Sequence, residues 1–178
     1  MDVTLERSLT PEFREFMPLF GALDGPILDA PCGYGRHALS LQEIGCRVAC
    51  VDIDDKALEH LACLNEIPAA DGRKELELFR VDVVNDDWPF EKGQFSGALN
   101  IHFHGAKLLS NIAYSLDPGG LVYIETVTNR KGNFIQLPQA GEIQRIFGDD
   151  FDYLYIKERR AGPIDSGKVT VRMLAQKK

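Results

Sequence analysis

Three acids, two glycines and two histidines stand where side chains of their type do chemistry. Asp29 ends the apolar run Ile27-Leu28 and is followed by Ala30-Pro31-Cys32-Gly33-Tyr34-Gly35-Arg36-His37-Ala38. A second apolar run, Cys46 to Val51, stops at Asp52, nineteen positions after Gly33, and Asp82 closes a third. Glycines in a turn let the backbone approach a ligand closely. A carboxylate accepts from paired hydroxyls or sits beside a cation. Asn100-Ile101-His102-Phe103-His104 follows a fourth run, and imidazoles there can take a proton near neutral pH. A strand, a glycine turn and an acid after the next strand make a nucleotide site of the doubly wound kind.

The elements that must position these residues alternate along the chain. Thr10-Pro11 opens a helix with Thr as cap and Pro in its first turn. Phe13, Phe16, Met17 and Phe20 follow at helical spacing to Gly21, a core stripe that could also lid a cofactor. Then come strand Pro26–Ala30, helix Gly35–Ile44 and strand Arg47–Asp52. Asp54 or Asp55 caps a helix through Asn65. Asp71-Gly72 marks a turn before strand Glu75–Val81. Asp82–Gly93 is irregular and leads to strand Phe95–Ile101 and a helix over about Ala106–Leu116. Asp117-Pro118-Gly119-Gly120 turns the chain into strand Leu121–Val127. After a loop, Thr128–Pro138, and a short helix, Ala140–Phe147, strands Phe151–Arg159 and Lys168–Ala175 lie too close for a crossover helix. The expectation is one α/β domain over 1–178, an N-terminal helical segment (1–24) before a Rossmann-like, doubly wound core (25–178). Its sheet has seven strands, mainly parallel, and closes on an antiparallel hairpin.

The bulk numbers narrow the partners. A chain of 178 residues suits one core. Its formal charge of −7 repels phosphate backbones, which disfavours a nucleic-acid partner. The basic runs, Asn129-Arg130-Lys131 and Lys157-Glu158-Arg159-Arg160, are short. Neither a signal peptide nor a membrane span is legible. The four cysteines, Cys32, Cys46, Cys50 and Cys63, lack a Cys-x-x-Cys pair and read as reduced thiols in a cytoplasmic protein, with no metal site. Oligomeric state is not legible.

Gly33-x-Gly35-x-x-Ala38 also fits a dinucleotide fingerprint. Three features oppose NAD. Asp29 lies four residues before Gly33, where a pyrophosphate wants amides and no second anion; an ammonium and a sulfonium are better served by it. Asp82 follows the third strand, where it could accept from an adenine amino group. The terminal hairpin is not the second half of a dinucleotide fold.

These residues resemble the class I S-adenosylmethionine-dependent methyltransferases, close to the small bacterial tellurite-resistance and small-molecule group. Ile27 to Arg36 is similar to the family's glycine-rich motif, and Val51-Asp52-Ile53-Asp54 to its second. Val81-Asp82-Val83 with Trp88-Pro89-Phe90 resembles the adenine segment. Leu116-Asp117-Pro118-Gly119-Gly120-Leu121 resembles the turn into the fifth strand. Gly141-Glu142-Ile143 and Met173 to Lys177 are similar to the late part. The pattern departs at Pro31, which stands for a glycine and has no N–H to donate.

The resemblance implies S-adenosylmethionine as cofactor, S-adenosylhomocysteine as product and a small-molecule methyl acceptor. It implies cofactor contacts at Asp29, Ala30, Cys32, Gly33, Tyr34, Gly35, Asp52, Ile53, Asp82, Val83, Asn100 and Ile101. Asp52 would take the ribose hydroxyls, Asp82 and the Val83 amide the adenine, and Asp29 the methionine ammonium. Each acid has a plainer alternative as a helix cap or turn anchor. Trp88 would stack on adenine or fill the rim. His102 and His104 are candidate bases or wall residues, since in-line methyl transfer rests largely on placement. Arg36, His37 and Asn129-Arg130-Lys131 could hold an anionic substrate. The alternative function is a non-catalytic binder of the same cofactor, with Phe103, Phe134 or the first helix plugging the pocket.

Overall fold

The computed structural model describes residues 9–66, 74–127 and 137–178. Helix α1 (Pro11–Gly21) precedes strand β1 (Ile27–Asp29). Then follow α2 (Arg36–Glu43), β2 (Val48–Asp52), α3 (Asp55–Asn65), β3 (Glu77–Arg80), β4 (Phe95–Ile101) and α4 (Ala106–Ser115). The chain ends with β5 (Leu116–Glu125), α5 (Glu142–Phe147), β6 (Phe151–Arg160) and β7 (Val169–Lys177). Thr10 caps α1, its hydroxyl accepting from the Phe13 amide at 3.4 Å. Of the two acids proposed to cap α3, Asp54 does so, accepting from the Lys56 amide at 3.0 Å.

The strands form one seven-stranded sheet in the order β3-β2-β1-β4-β5-β7-β6. The pairs from β3 to β5 are parallel, and β7 runs antiparallel to both β5 and β6. The chain steps outward from β1 to β3 and returns on the other side of β1, so the winding reverses between β1 and β4. At such a switch point the carboxyl ends of the strands open a crevice. In register, Asp29 lies level with Cys50 of β2 and Leu99 of β4, and Ile101 level with Glu125 of β5.

Both faces of the sheet are covered, which is why its inner strands read as continuous apolar runs. Successive residues point to opposite faces. Ile27 and Tyr123 join Phe13 and Phe20 of α1, Leu41 of α2 and Leu61 of α3. Leu28 and Ile124 join Leu108, Leu109 and Ile112 of α4 with Phe147 of α5. The aromatic stripe of α1 is thus core on one edge: Phe13 and Phe20 are fully buried, with Phe13 centred 5.3 Å from Tyr123.

Some boundaries move. Strand β3 is shorter than expected because Leu76 ends the preceding segment bonded through its backbone to the Asn65 amide, at 2.8 and 3.0 Å. Asp117-Pro118-Gly119-Gly120 is a bulge within β5 and not a turn ahead of it: Leu116 pairs with Phe95, the register shifts, and Leu121 pairs with Gly97. Strand β7 extends two residues past Ala175. The Asp71-Gly72 turn, Asn129-Arg130-Lys131 and Phe134 fall outside the described residues. No helix among the described residues is long and apolar enough to cross a membrane.

Candidate active site

The glycine turn is tied from behind by β2. The Ala30–Pro31 peptide is cis. The Cys32 amide donates to Val51 O at 2.8 Å, and the Gly33 amide to Asp52 Oδ2 at 2.7 Å. Gly33 and Gly35 have φ of +53° and +73°, the left-handed region where only glycine is unstrained. The two glycines serve different ends. A Cβ on Gly35 would strike the Leu61 side chain, whereas one on Gly33 would meet nothing within 4 Å. Gly35 lets α2 start against α3, and Gly33 has open space at its Cβ position.

The acids that end β1 and β2 are unequally satisfied. Asp52 accepts from Gly33 through Oδ2 and from the Asp54 amide through Oδ1 at 3.0 Å. A carboxylate has about four acceptor positions, so each oxygen keeps capacity for a hydroxyl. Asp29 is buried, and its Oδ2 has no partner among the described residues. Burial lifts its pKa to about 7, with the Ala38 amide opposing, the Asp52 charge adding and Arg36 opposing. Asn100, also buried, donates through Nδ2 to Ala30 O at 2.9 Å and leaves Oδ1 without a partner. Two orphaned acceptors on neighbouring strands therefore flank the glycine turn.

Asp82 is placed differently. Its Oδ1 accepts from the Val84 and Asn85 amides at 2.9 and 3.1 Å, and Oδ2 from Asn85 Nδ2 at 2.7 Å. The Asn85 side chain and the Val84 amide hold it below the usual carboxylate range. Asp82 thus shapes a turn beside the buried Val83. Trp88 donates to Ser115 Oγ at 2.7 Å and meets Phe90 edge-on at 5.1 Å, so its ring is anchored to the rim. Tyr34 is 58% exposed, its ring 5.6 Å from that of His60, and Ile53 is exposed beside Asp52. Ile101 and Cys32 are buried, the Cys32 thiol donating to Gly33 O at 3.4 Å.

The two candidate bases separate. His104 is bound through Nε2 to Glu142 of α5 at 3.1 Å and is largely buried. His102 is 44% exposed, and its Nε2 stands 3.7 Å from Glu125 Oε1. His37 does not join an anion site as a cation. Burial first, then the Arg36 charge, lowers its pKa to about 4, and its ring lies edge-on to Phe13 at 5.0 Å. A neutral buried imidazole offers no charge to an anionic substrate.

Glu125 was not among the expected site residues. The rule that singled out Asp29, an acid at the carboxyl end of a buried strand, applies to it equally. The strand expected to run on to Val127 placed it mid-element. It ends β5, wholly buried. Burial pushes its carboxyl up, but His102, the Thr10 and Tyr123 hydroxyls and the Arg172 charge outweigh this and hold it at about 2.

A family model described as a methyltransferase domain matches residues 27–120. No curated protein sequence matches the chain. Among solved structures, the chain is similar to a SAM-dependent methyltransferase from Methanosarcina mazei at 16% identity and TM-score 0.67, over 95% of this chain and 98% of that one. It is similar to geranyl diphosphate C-methyltransferase from Streptomyces coelicolor, at 16% identity and TM-score 0.68, over 92% and 76%. It is also similar to TehB from Haemophilus influenzae, at 16% identity and TM-score 0.67, over 93% and 62%. At these identities the structural likeness speaks for the fold. Because the family match runs from β1 into β5 and takes in more than half of the sequence, the chain belongs to the methyltransferase-domain family.

Proposed function

We propose that this protein binds S-adenosylmethionine and moves its methyl group to a small-molecule acceptor. The observation that carries the reading is the pair of buried, unpartnered acceptors, Asp29 Oδ2 and Asn100 Oδ1, on the two neighbouring strands next to the glycine turn. Buried polar atoms without partners are rare and point to a missing donor. An amino-acid ammonium supplies several. Asp52, with capacity left on both oxygens, suits the ribose hydroxyls.

The same geometry argues against a dinucleotide. A pyrophosphate needs free amides at the turn, yet the Gly33 amide is already given to Asp52. The Streptomyces coelicolor enzyme was solved with S-adenosylhomocysteine and a small-molecule diphosphate, which supports a cofactor and an acceptor of these classes here. The net charge of −7 fits a small acceptor better than a nucleic acid.

In this reading Asp29, Asn100 and Ala30 hold the methionine end, and Gly33 and Gly35 admit it. Cys32, Tyr34 and Ile101 wall it, Asp52 and Ile53 hold the ribose, and Val83 borders the adenine. Asp82 shapes the turn there, and its Oδ2, which accepts one hydrogen bond, keeps a position for the adenine amino group. The cofactor supplies an electrophilic methyl group, and the protein's task is to align an acceptor in line with it. Calorimetric titration with S-adenosylmethionine and S-adenosylhomocysteine tests the reading. Micromolar binding supports it; no heat and no thermal shift from either ligand would remove it.

A further inference from the structure

The two oxygens of Glu125 are used unequally. Oε2 accepts from Thr10 Oγ1 at 2.8 Å and from the Tyr123 hydroxyl at 2.9 Å, and lies 3.5 Å from Arg172 Nε. Oε1 has no hydrogen-bond partner among the described residues, and the side chain paired with it is His102, whose Nε2 is 3.7 Å away. That is an ion-pair distance, longer than a hydrogen bond. Acid–base pairs are often loose before substrate arrives and tighten when it does. A carboxylate anchored through one oxygen and open at the other is oriented toward its neighbour.

His102 adds an independent observation. Its φ of +63° is left-handed, and it is the one non-glycine residue so placed among the described residues. For an L-residue this costs about 1–2 kcal/mol, and such strain collects at functional positions. The conformation is held by the His102 amide, which donates to Glu125 O at 2.7 Å. One glutamate therefore fixes the backbone of His102 and faces its imidazole. A glycine would meet no such cost there.

We propose that His102 is the base that takes the methyl acceptor's proton, through Nδ1, and that Glu125 is the positioning residue that holds Nε2–H toward Oε1. The inference rests on the methyl-transfer reading above. In the step, the acceptor's X–H bond breaks and its proton goes to Nδ1. The electron pair left on X forms the new bond to the methyl carbon, while the pair of the broken C–S bond stays on sulfur. An acceptor served this way is a hydroxyl or thiol compound with a proton to lose.

The surroundings suit the assignment. Arg172 from β7, Tyr123 from β5 and Thr10 from α1 hold the far oxygen of Glu125. Glu12 of α1 pairs with Arg172 at 2.9 Å and with Lys157 of β6 at 3.3 Å. His37 of α2, on which the charges of Arg36, Glu125 and His102 act, is held neutral chiefly by burial. Glu125 stays anionic at any physiological pH, and a fixed anion favours the tautomer that donates to it.

Long-range proton–nitrogen NMR of the imidazoles at neutral pH, in the free protein, tests the pair without needing turnover. The expected spectrum has the neutral imidazole of His102 as the Nε2–H tautomer, with its ring nitrogen shifts moved in Glu125→Gln, which keeps an acceptor oxygen but removes the charge facing Nε2. The Nδ1–H tautomer in the wild type, or ring shifts unchanged in Glu125→Gln, would overturn the proposal. Should Glu125→Gln fail to fold, the wild-type tautomer decides alone, and the Nδ1–H form overturns the pair. Titration of the wild type with S-adenosylhomocysteine keeps the two ideas apart. No binding removes the methyl-transfer reading itself, whereas binding with the wrong tautomer removes only the His102–Glu125 pair.

Discussion

Asp52 Oδ2 receives the Gly33 amide at 2.7 Å, so the acid that ends β2 also fixes the turn that ends β1. One carboxylate shapes the turn and, in the proposed site, borders the ribose. Asp52→Ala is therefore expected to weaken S-adenosylmethionine binding by about 100-fold or more, since hydrogen bonds to a charged group contribute roughly 1.5–3 kcal/mol each. Asp52→Asn, which keeps one acceptor oxygen, should fall between. Calorimetry on the three proteins checks this, and affinities within twofold of one another would contradict it.

With Asp29 in the proposed ammonium role, cofactor binding is expected to depend on pH. Its folded pKa is raised from 3.8 to about 7, so the folded protein holds this proton more tightly than the unfolded chain. The contribution to stability is fully present below about pH 3.8 and is lost as pH climbs to about 7. An ammonium ligand needs the carboxylate, so affinity should fall roughly tenfold per pH unit below 7. Asp29→Asn should flatten the dependence between pH 5 and 7. A wild-type affinity that is constant over that window would count against the ammonium role.

Glu125 acts in the opposite sense on stability. Its pKa is depressed from 4.5 to about 2, so its contribution is fully present above pH 4.5 and is lost as pH falls toward 2. Urea midpoints measured at pH 5 and pH 3 should show Glu125→Gln losing less on acidification than the wild type. Parallel losses in the two proteins would mean that Thr10, Tyr123 and His102 do not hold the carboxylate as described.

Gly35→Ala is expected to destabilise the fold by more than about 1 kcal/mol, because φ there is +73° and the new Cβ would meet the Leu61 side chain. Leu61→Ala in the same chain should restore the part due to the clash and leave the part due to the dihedral. A double-mutant cycle by thermal melting reads the two apart. Simple additivity would place Leu61 away from the turn.

The chain's periodicity and punctuation determined most of the fold. Strand, glycine turn, helix and strand follow from apolar runs broken by Asp29, Gly35 and Asp52, because a strand buried on both faces must be apolar and a tight turn at positive φ must be glycine. The cap at Thr10, the core stripe of α1 and the terminal hairpin were legible for the same local reason. Long-range pairing was left to the tertiary structure. Only the packed chain shows that Asp82 ties its own turn, that His37 lies neutral against Phe13, and that His104 is bound to Glu142. Glu125 is the clearest case. As a residue it is one acid among 27 Asp and Glu. It becomes distinctive once Thr10, Tyr123, Arg172 and His102, from the cap of α1, β5, β7 and the loop after β4, converge on its buried carboxylate. Burial and partner geometry set what a carboxylate can do, and both are properties of the folded chain.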